Sequence, residues 1–239
     1  KLMGAIFKRE LSAYFNSAIA YVVMAVFFFF SGTFFYNYCF LFNSTSLTPV
    51  YGNMFIVIML VIPIITMKSF SEEKRQKTDQ ALLTSPTSLT EIVMGKFFGA
   101  FALYFICCLI FLFYAAIISF FASPDWAVVL CTFFGVVLLG GAMIAINVFI
   151  SSLTESMIIS AIAGMGVGLI IFMLSNFISM IDVEFITFIL DKINFLSYYT
   201  NFTYGILSLV DVVFFLSVAG LFNFFTIRVL EKRRWSQGG

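Results

Sequence analysis

"YGNMFIVIMLVIPIITMKSFSEEKRQKTDQALLTSP" (Tyr51–Pro86) begins as an apolar run and ends as the most densely charged part of the chain. The run Tyr51–Met67 has no charged residue, whereas seven of the twenty residues in Met67–Pro86 are charged. No charge occurs between Leu11 and Met67 either. An uncharged run of helix length that leads directly into a charged segment is typical of a membrane-spanning helix that emerges into water.

The whole chain has the composition of an integral membrane protein. Of its 239 residues, 62% are hydrophobic and only 10% are charged, whereas a soluble domain has about 25% charged residues. Apolar runs predict transmembrane helices over 18–42, 51–67, 97–121, 127–150, 157–181 and 212–230. We therefore predict an all-α polytopic membrane protein with six transmembrane helices, forming one domain over 1–239.

The basic residues predict the orientation. With six spans and both termini cytoplasmic, twelve of the thirteen Lys and Arg residues lie on the inner side, and only Lys192 lies outside. Cytoplasmic loops of membrane proteins carry such an excess of positive charge. The prediction is a multi-pass protein of the bacterial plasma membrane with both termini in the cytoplasm.

One segment complicates this count. The stretch Ile193–Val210 is uncharged and long enough to span, but a seventh span would place Arg228–Arg234 outside. It is also rich in hydroxyl and amide side chains. We interpret 182–211 as an external loop, with either short surface helices or a re-entrant hairpin buried against protein.

The first residues form a different element. Leu2, Met3, Ile6 and Phe7 recur with helical spacing, and charged residues occupy much of the opposite face. This pattern favours an amphipathic helix over 1–17 that lies on the inner membrane surface. The alternative is a helical extension of the first span.

Several kinds of chemistry are missing from the sequence. The chain has no histidine, no charged residue in the interior of a predicted span and no CxxC pair. The pair Gly95-Lys96 lacks the upstream glycine of a phosphate-binding loop. We predict no catalytic residue, no metal site, no cofactor and no nucleic-acid partner in this chain, and we disfavour an intramembrane hydrolase.

A few residues inside the spans are candidates for function. Pro63 interrupts the second span and is a candidate hinge, because proline removes a backbone donor. Three amides could line a substrate path or join helices, and packing is the commoner role: Asn147, Asn176 and Asn223. The glycines Gly164, Gly166 and Gly168 permit close approach of another helix.

The charged segment has the features of a short cytoplasmic helix, about Glu72 to Leu83. Glu73 and Lys77 form a favourable i,i+4 pair. Mixed charge suits docking into a groove on a cytoplasmic partner, whereas the simpler alternative is a solvated loop that only fixes the topology. Two sequences match capping boxes at helix starts, Ser88-x-x-Glu91 and Ser152-x-x-Glu155.

Three stretches resemble a known family. "PIITMKSFSEEKRQKTDQALLTSPTSLTEIVMGKFFGA" (Pro63–Ala100) is similar to the second span, loop and third span of ABC-2 type transporter permeases. "LSYYTNFTYGILSLVDVVFFLSVAGLFNFFTIRVLEKRRW" (Leu196–Trp235) resembles their final region, and "GAIFKRELSAYFNSAIAYVV" (Gly4–Val23) fits their start. The subgroup that it most resembles contains the gliding-motility and nitrous-oxide-reductase-maturation permeases.

The resemblance implies an elbow helix over 1–17 and a coupling segment over 69–86 that contacts a separate ABC ATP-binding subunit. The contact residues would be Ser71, Glu72, Glu73, Lys74, Arg75 and Lys77. The inner loop Ser151–Ser156 could supply a second contact. Two such subunits would bring ATP and Mg²⁺, and the lipid-embedded permease would pair with a second permease, either its own copy or a paralogue.

The function expected from this resemblance is that of the permease subunit of an ABC exporter. The alternative is a non-transporting member, in which the ATPase cycle drives mechanical or assembly work on an auxiliary protein at the outer side.

Overall fold

The computed structural model describes residues 2–77, 88–178, 187 and 190–237; the side chains of Leu2, Asn176 and 235–237 lie outside that description. Within these residues the chain is helical and contains no strand. Six of its helices are long and apolar enough to cross a membrane. The predicted all-α architecture with six membrane-length helices is confirmed for this part of the chain.

The described helices are numbered in chain order. They are α1 (Leu2–Phe15), α2 (Ala18–Phe35), α3 (Thr48–Thr66), α4 (Ser71–Arg75), α5 (Leu89–Ser119), α6 (Trp126–Leu153), α7 (Met157–Ile178), α8 (Phe195–Thr203) and α9 (Leu209–Gln237). A π-helical turn, Tyr36–Leu41, prolongs α2. The membrane-length helices are α2, α3, α5, α6, α7 and α9.

Local side-chain bonds explain where two of the long helices begin. The predicted capping box at α5 is present: Ser88 Oγ accepts from the Glu91 N–H at 3.2 Å, and the Glu91 carboxylate accepts from the Ser88 N–H at 3.4 Å. Asp125 caps α6 by accepting from the Ala127 N–H at 3.0 Å. These bonds satisfy backbone donors that have no partner inside the helix.

The second predicted capping box, at Ser152 and Glu155, is wrong. Ser152 lies in the last turn of α6, where its Oγ donates to the Phe149 carbonyl at 2.7 Å. The start of α7 is capped by Ser156 instead, whose Oγ accepts from the Ile159 N–H at 3.4 Å. The chain therefore needs only a short connection to turn from α6 into α7.

Two helices form the centre of the bundle. Buried side chains line α3 along its whole length, with α2, α6 and α7 around it. The other central helix, α6, packs along α9 and α5. The outer faces of α2, α7 and α9 remain exposed and apolar, as expected of helices that face lipid or a partner chain.

The segment Ile193–Val210 does not contain a seventh span. Its helix α8 has nine residues, whereas a span needs about 20. It closes one end of the bundle: Thr48 Oγ1 donates to the Thr203 carbonyl at 3.0 Å, and Tyr199 OH donates to the Tyr51 carbonyl at 2.9 Å. Residues 182–186 and 188–189 of the predicted external loop lie outside the described chain.

Candidate functional site

The short helix α4 lies at the opposite end of the bundle from α8 and is attached to the end of α6. Ser151 Oγ accepts from the N–H groups of Phe70 and Ser71, at 3.1 and 3.2 Å. Lys74 Nζ donates to the Ser152 carbonyl. Because the first N–H groups of a helix have no partner within it, Ser151 acts as a cap supplied by another helix.

Replacement of Ser151 by alanine is expected to loosen α4 from α6. The two buried N–H groups would lose their acceptor, which costs about 1–3 kcal/mol. Amide hydrogen exchange across 70–77 should become about tenfold faster. Ser119→Ala is the control, because Ser119 Oγ donates only to its own helix, at the Ala115 carbonyl. Unchanged exchange in Ser151→Ala would refute this attachment.

A second attachment joins α4 to α1 and α5 through an ion cluster of Arg9, Glu10, Glu73 and Lys96. Lys96 Nζ lies 2.9 Å from a Glu73 carboxylate oxygen and 3.1 Å from Glu10 Oε1. An Arg9 guanidinium nitrogen lies 2.8 Å from Glu10 Oε1 and 3.1 Å from Glu73 Oε1. The Lys96 side chain is only 2% exposed. Three segments far apart in sequence therefore meet at one buried ammonium group.

Two glycines on α5 allow α1 to come this close. A Cβ atom at Gly95 would lie 2.7 Å from Ile6 Cγ2, and one at Gly99 would lie 2.8 Å from Glu10 Cβ. These separations are too short for carbon atoms, so a larger residue would push α1 away from α5. The glycines flank Lys96 in sequence and help place Glu10 within hydrogen-bonding distance of it.

The cluster also shifts the ionisation of its members. Burial by itself would raise the pKa of Glu10, but the positive charge of Lys96 and hydrogen bonds from Arg9 and Lys96 outweigh it, so that this pKa is lowered. The hydrogen bond to Glu10 raises the pKa of Arg9. Glu10 and Arg9 are thus held in their charged forms.

A cavity of about 410 Å³ lies beside the cluster, between α1 and the turn that leads into α4. Its charged lining has three cations and three carboxylates: Arg9, Lys68, Lys96, Glu10, Glu72 and Glu73. Lys68 and Glu72 form the longest of the ion pairs in this lining, with Lys68 Nζ 3.9 Å from Glu72 Oε2. The cavity is therefore polar and close to charge balance.

The six predicted contact residues fall into two groups. Three are engaged with the rest of this chain: Ser71, Glu73 and Lys74. The other three lie at or near the surface: Glu72, Arg75 and Lys77. The remainder of the predicted coupling segment, 78–86, lies outside the described residues. Contact with an ATPase subunit stays a prediction, and Arg75 and Lys77 are the exposed members of the second group.

The candidate hinge Pro63 lies where three helices cross. Pro63 has no N–H to donate to the Met59 carbonyl. Two glycines of α7, Gly164 and Gly168, pack against this part of α3. A Cβ at Gly168 would lie 2.9 Å from the Met59 carbonyl oxygen, and one at Gly164 would lie 2.9 Å from Pro63 Cβ. The same Gly164 position faces Asn147 Oδ1 of α6. The glycine face of α7 thus packs directly on the interrupted turn of α3.

The two predicted amides whose side chains the structure describes, Asn147 and Asn223, do not link helices through hydrogen bonds. Asn147 Nδ2 donates to the Met143 carbonyl at 2.8 Å and Asn223 Nδ2 to the Ala219 carbonyl at 2.9 Å, both within their own helix. Their Oδ1 atoms are buried without a hydrogen-bond partner among the described residues. Asn223 also lines an apolar groove between α5, α6 and α9. The Asn176 side chain lies outside the described part.

The sequence singled out the α4 segment, and it named the loop Ser151–Ser156 as a possible second contact with a partner. It did not indicate a role for Lys96 or Glu10, or the bond between Ser151 and α4. Lys96 lies at the edge of an apolar run, where by sequence alone it counts only as one of the positive charges on the inner side. Its flanking pair Gly95-x-x-x-Gly99 is a signal of close helix packing, although it does not indicate which helix packs there.

Comparison with known proteins identifies the family of the chain. The family model of ABC-2 family transporter proteins matches residues 5–227, nearly the whole chain. A search of curated proteins finds no match. The chain therefore belongs to the ABC-2 family of transporters, as a multi-pass membrane subunit whose ATPase activity resides in a separate ATP-binding subunit.

Proposed function

We propose that this chain is the permease subunit of an ABC exporter and that a separate ATPase subunit moves it through α4. The observation that carries the proposal is the double attachment of α4, by Ser151 to α6 and by the ion cluster to α1 and α5. Through the turn Met67–Phe70, α4 also continues directly from α3. A displacement of α4 is thereby transmitted to four helices at once.

The transmission would follow two routes. Along the first, α4 moves the inner end of α3, and Pro63 lets the inner and outer parts of that helix bend relative to each other. Along the second, Glu73 moves Lys96 and Glu10, and therefore α5 and α1. Since α1 leads directly into α2, movement at the cluster reaches the first span as well.

The complex that we propose contains two permeases and two ATPase subunits, with ATP and Mg²⁺ bound by the ATPases. The exposed apolar faces of α2 and α7 lie on either side of α3 and suit the contact with a second permease, a copy of this chain or a paralogue. Substrate would cross the plasma membrane between the two permeases. Each α1 would lie on the inner membrane surface as an elbow helix.

Reversal of the exposed charges on α4 tests the contact. Arg75→Glu with Lys77→Glu should weaken binding of the ATPase subunit by at least about tenfold, because unfavourable charge pairs at an interface cost several kcal/mol. Binding is measured by co-purification and titration of the ATPase onto reconstituted permease. Lys192→Glu, a charge reversal at an exposed residue beside α8, is the control. Equal binding by both variants would overturn the proposed docking site.

A further inference from the structure

A groove of about 410 Å³ runs along α9, between α5 and α6, and none of its lining residues belongs to α4 or to the ion cluster. Its walls are apolar apart from Asn223 and include Phe97, Phe101, Leu216 and Phe224. The lining residues of α9 extend from Phe215 to Ile227, about 18 Å along the helix axis. This length matches one leaflet of the hydrocarbon core, which is about 15 Å thick.

The groove opens towards the membrane. Leu216 and Phe224 line it and are also exposed on the outer face of α9. A Cβ atom at Gly220, midway along the groove, would meet no atom within 4 Å. The space is therefore unfilled by the chain itself, and in a bilayer the medium that reaches it consists of lipid acyl chains.

One end of the groove is strongly basic. Ile227, its last lining residue on α9, is followed by Arg228, which is 62% exposed and whose guanidinium carbon lies 4.9 Å from the Phe224 ring centre. Lys232, Arg233 and Arg234 follow within two turns. Lys and Arg clusters next to a membrane helix attract anionic lipids.

The nearby carboxylates are already engaged. Glu231 pairs with Arg228 at 2.7 Å, and Glu91, one turn from the lining residue Met94 on the facing wall, accepts hydrogen bonds from Ser88. The four basic residues of this α9 end outnumber its single acid. A net positive charge therefore remains where a lipid headgroup would lie.

We propose that this groove binds an acyl chain of an anionic phospholipid in the leaflet on the α4 side, with its phosphate at Arg228 and Lys232. The apolar length accounts for the chain, and the basic end accounts for the charge of the headgroup. This binding is separate from substrate transport and does not depend on the direction of transport or on the ATPase contact.

Native mass spectrometry of the purified permease tests the proposal. The protein is equilibrated with vesicles of phosphatidylcholine and phosphatidylglycerol in equal amounts and then extracted into detergent. The wild type should retain about one phospholipid per chain, with phosphatidylglycerol in excess. Gly220→Leu should lower retention at least fivefold by filling the groove. Gly52→Leu is the control, because Gly52 is exposed, also has open space and lies on α3.

The headgroup is tested separately at the exposed end of α9. Arg228→Gln should lower the preference for phosphatidylglycerol over phosphatidylcholine about fivefold, the effect of one basic residue near an anionic surface, and Arg228→Lys should retain it. Inorganic phosphate should not compete if the acyl chain is part of the ligand. Because Arg228 is on the surface, this comparison remains decisive even if Gly220→Leu does not fold.

Three results would overturn the proposal. They are equal lipid retention by Gly220→Leu and the wild type, an unchanged lipid preference in Arg228→Gln, and a permease dimer that Gly220→Leu dissociates without any change in bound lipid. The last result would identify the groove as a contact between protein chains.

Discussion

Lys96→Met is expected to lower the free energy of unfolding by about 3–5 kcal/mol, the usual effect of removing one partner from a buried ion pair. Lys96 is the only member of the cluster that is almost fully buried, and it bonds to both carboxylates. Without its ammonium group, Glu10 and Glu73 would lose their most deeply buried cationic partner, and the Arg9 side chain beside them is about half exposed. The repulsion should push α1 and α4 off α5.

If α4 transmits the ATPase movement as we propose, the variant should also uncouple the ATPase, since α4 would no longer move α5 and α1. The measurements are thermal unfolding in detergent and the rate of ATP hydrolysis by the ATPase subunit with and without permease. Lys8→Met is the control: Lys8 is exposed on α1, and such surface substitutions change stability by less than about 0.5 kcal/mol.

A compensated variant separates charge from packing. Glu10→Gln with Glu73→Gln, added to Lys96→Met, removes the uncompensated charges, and buried ion groups can often be replaced by neutral groups without loss. We expect this triple variant to regain much of the stability but not the coupling, because the directional ion pairs are gone. If Lys96→Met unfolds at the wild-type temperature, the cluster has no role in holding these helices together.

The elements that depend on local sequence were predicted well. The membrane-length helices follow from long uncharged runs, because a charge at the centre of a span costs about 2.5–3.5 kcal/mol. The α5 start follows from Ser88 and Glu91, three residues apart. The prediction that Ile193–Val210 is not a span holds for α8, whose residues bond to the first turns of α3 through Tyr199 and Thr203.

The site depends on contacts that sequence spacing does not reveal. Glu10 and Lys96 are 86 residues apart, and Ser71 and Ser151 are 80 residues apart. From hydropathy alone, Lys96 is predicted to lie just before a span and Ser151 to lie in a loop. Only the packing of α1 on α5, and of α4 on α6, brings these groups together. The error at Ser152 has a similar cause, because α6 continues two residues beyond the predicted loop start.

Gly164→Val is expected to cost about 1–3 kcal/mol, the usual penalty for overpacking a close contact, and to separate α7 from α3. Its side chain would meet Pro63 Cβ and the Asn147 Oδ1 atom at the point where α3 is interrupted. Neither neighbour can retreat easily: the proline ring is rigid, and Asn147 is held by its bond to the Met143 carbonyl. Since the proposed bending of α3 occurs beneath this contact, ATPase stimulation by the permease should fall with stability.

Gly166→Val is the matched control, because Gly166 lies on the same helix and has no atom within 4 Å of a built Cβ. It carries the same change in helix propensity and should differ little from the wild type in packing. A further comparison uses Gly164→Ala with and without Asn147→Ala, measured by thermal unfolding. If the clash with Asn147 is the cause, Gly164→Ala should cost less when Asn147 is already alanine. Two results would show that the contact of Gly164 with α3 and α6 does not constrain α7. They are an equal loss of stability from Gly164→Ala with and without Asn147→Ala, and equal unfolding temperatures of Gly164→Val and Gly166→Val.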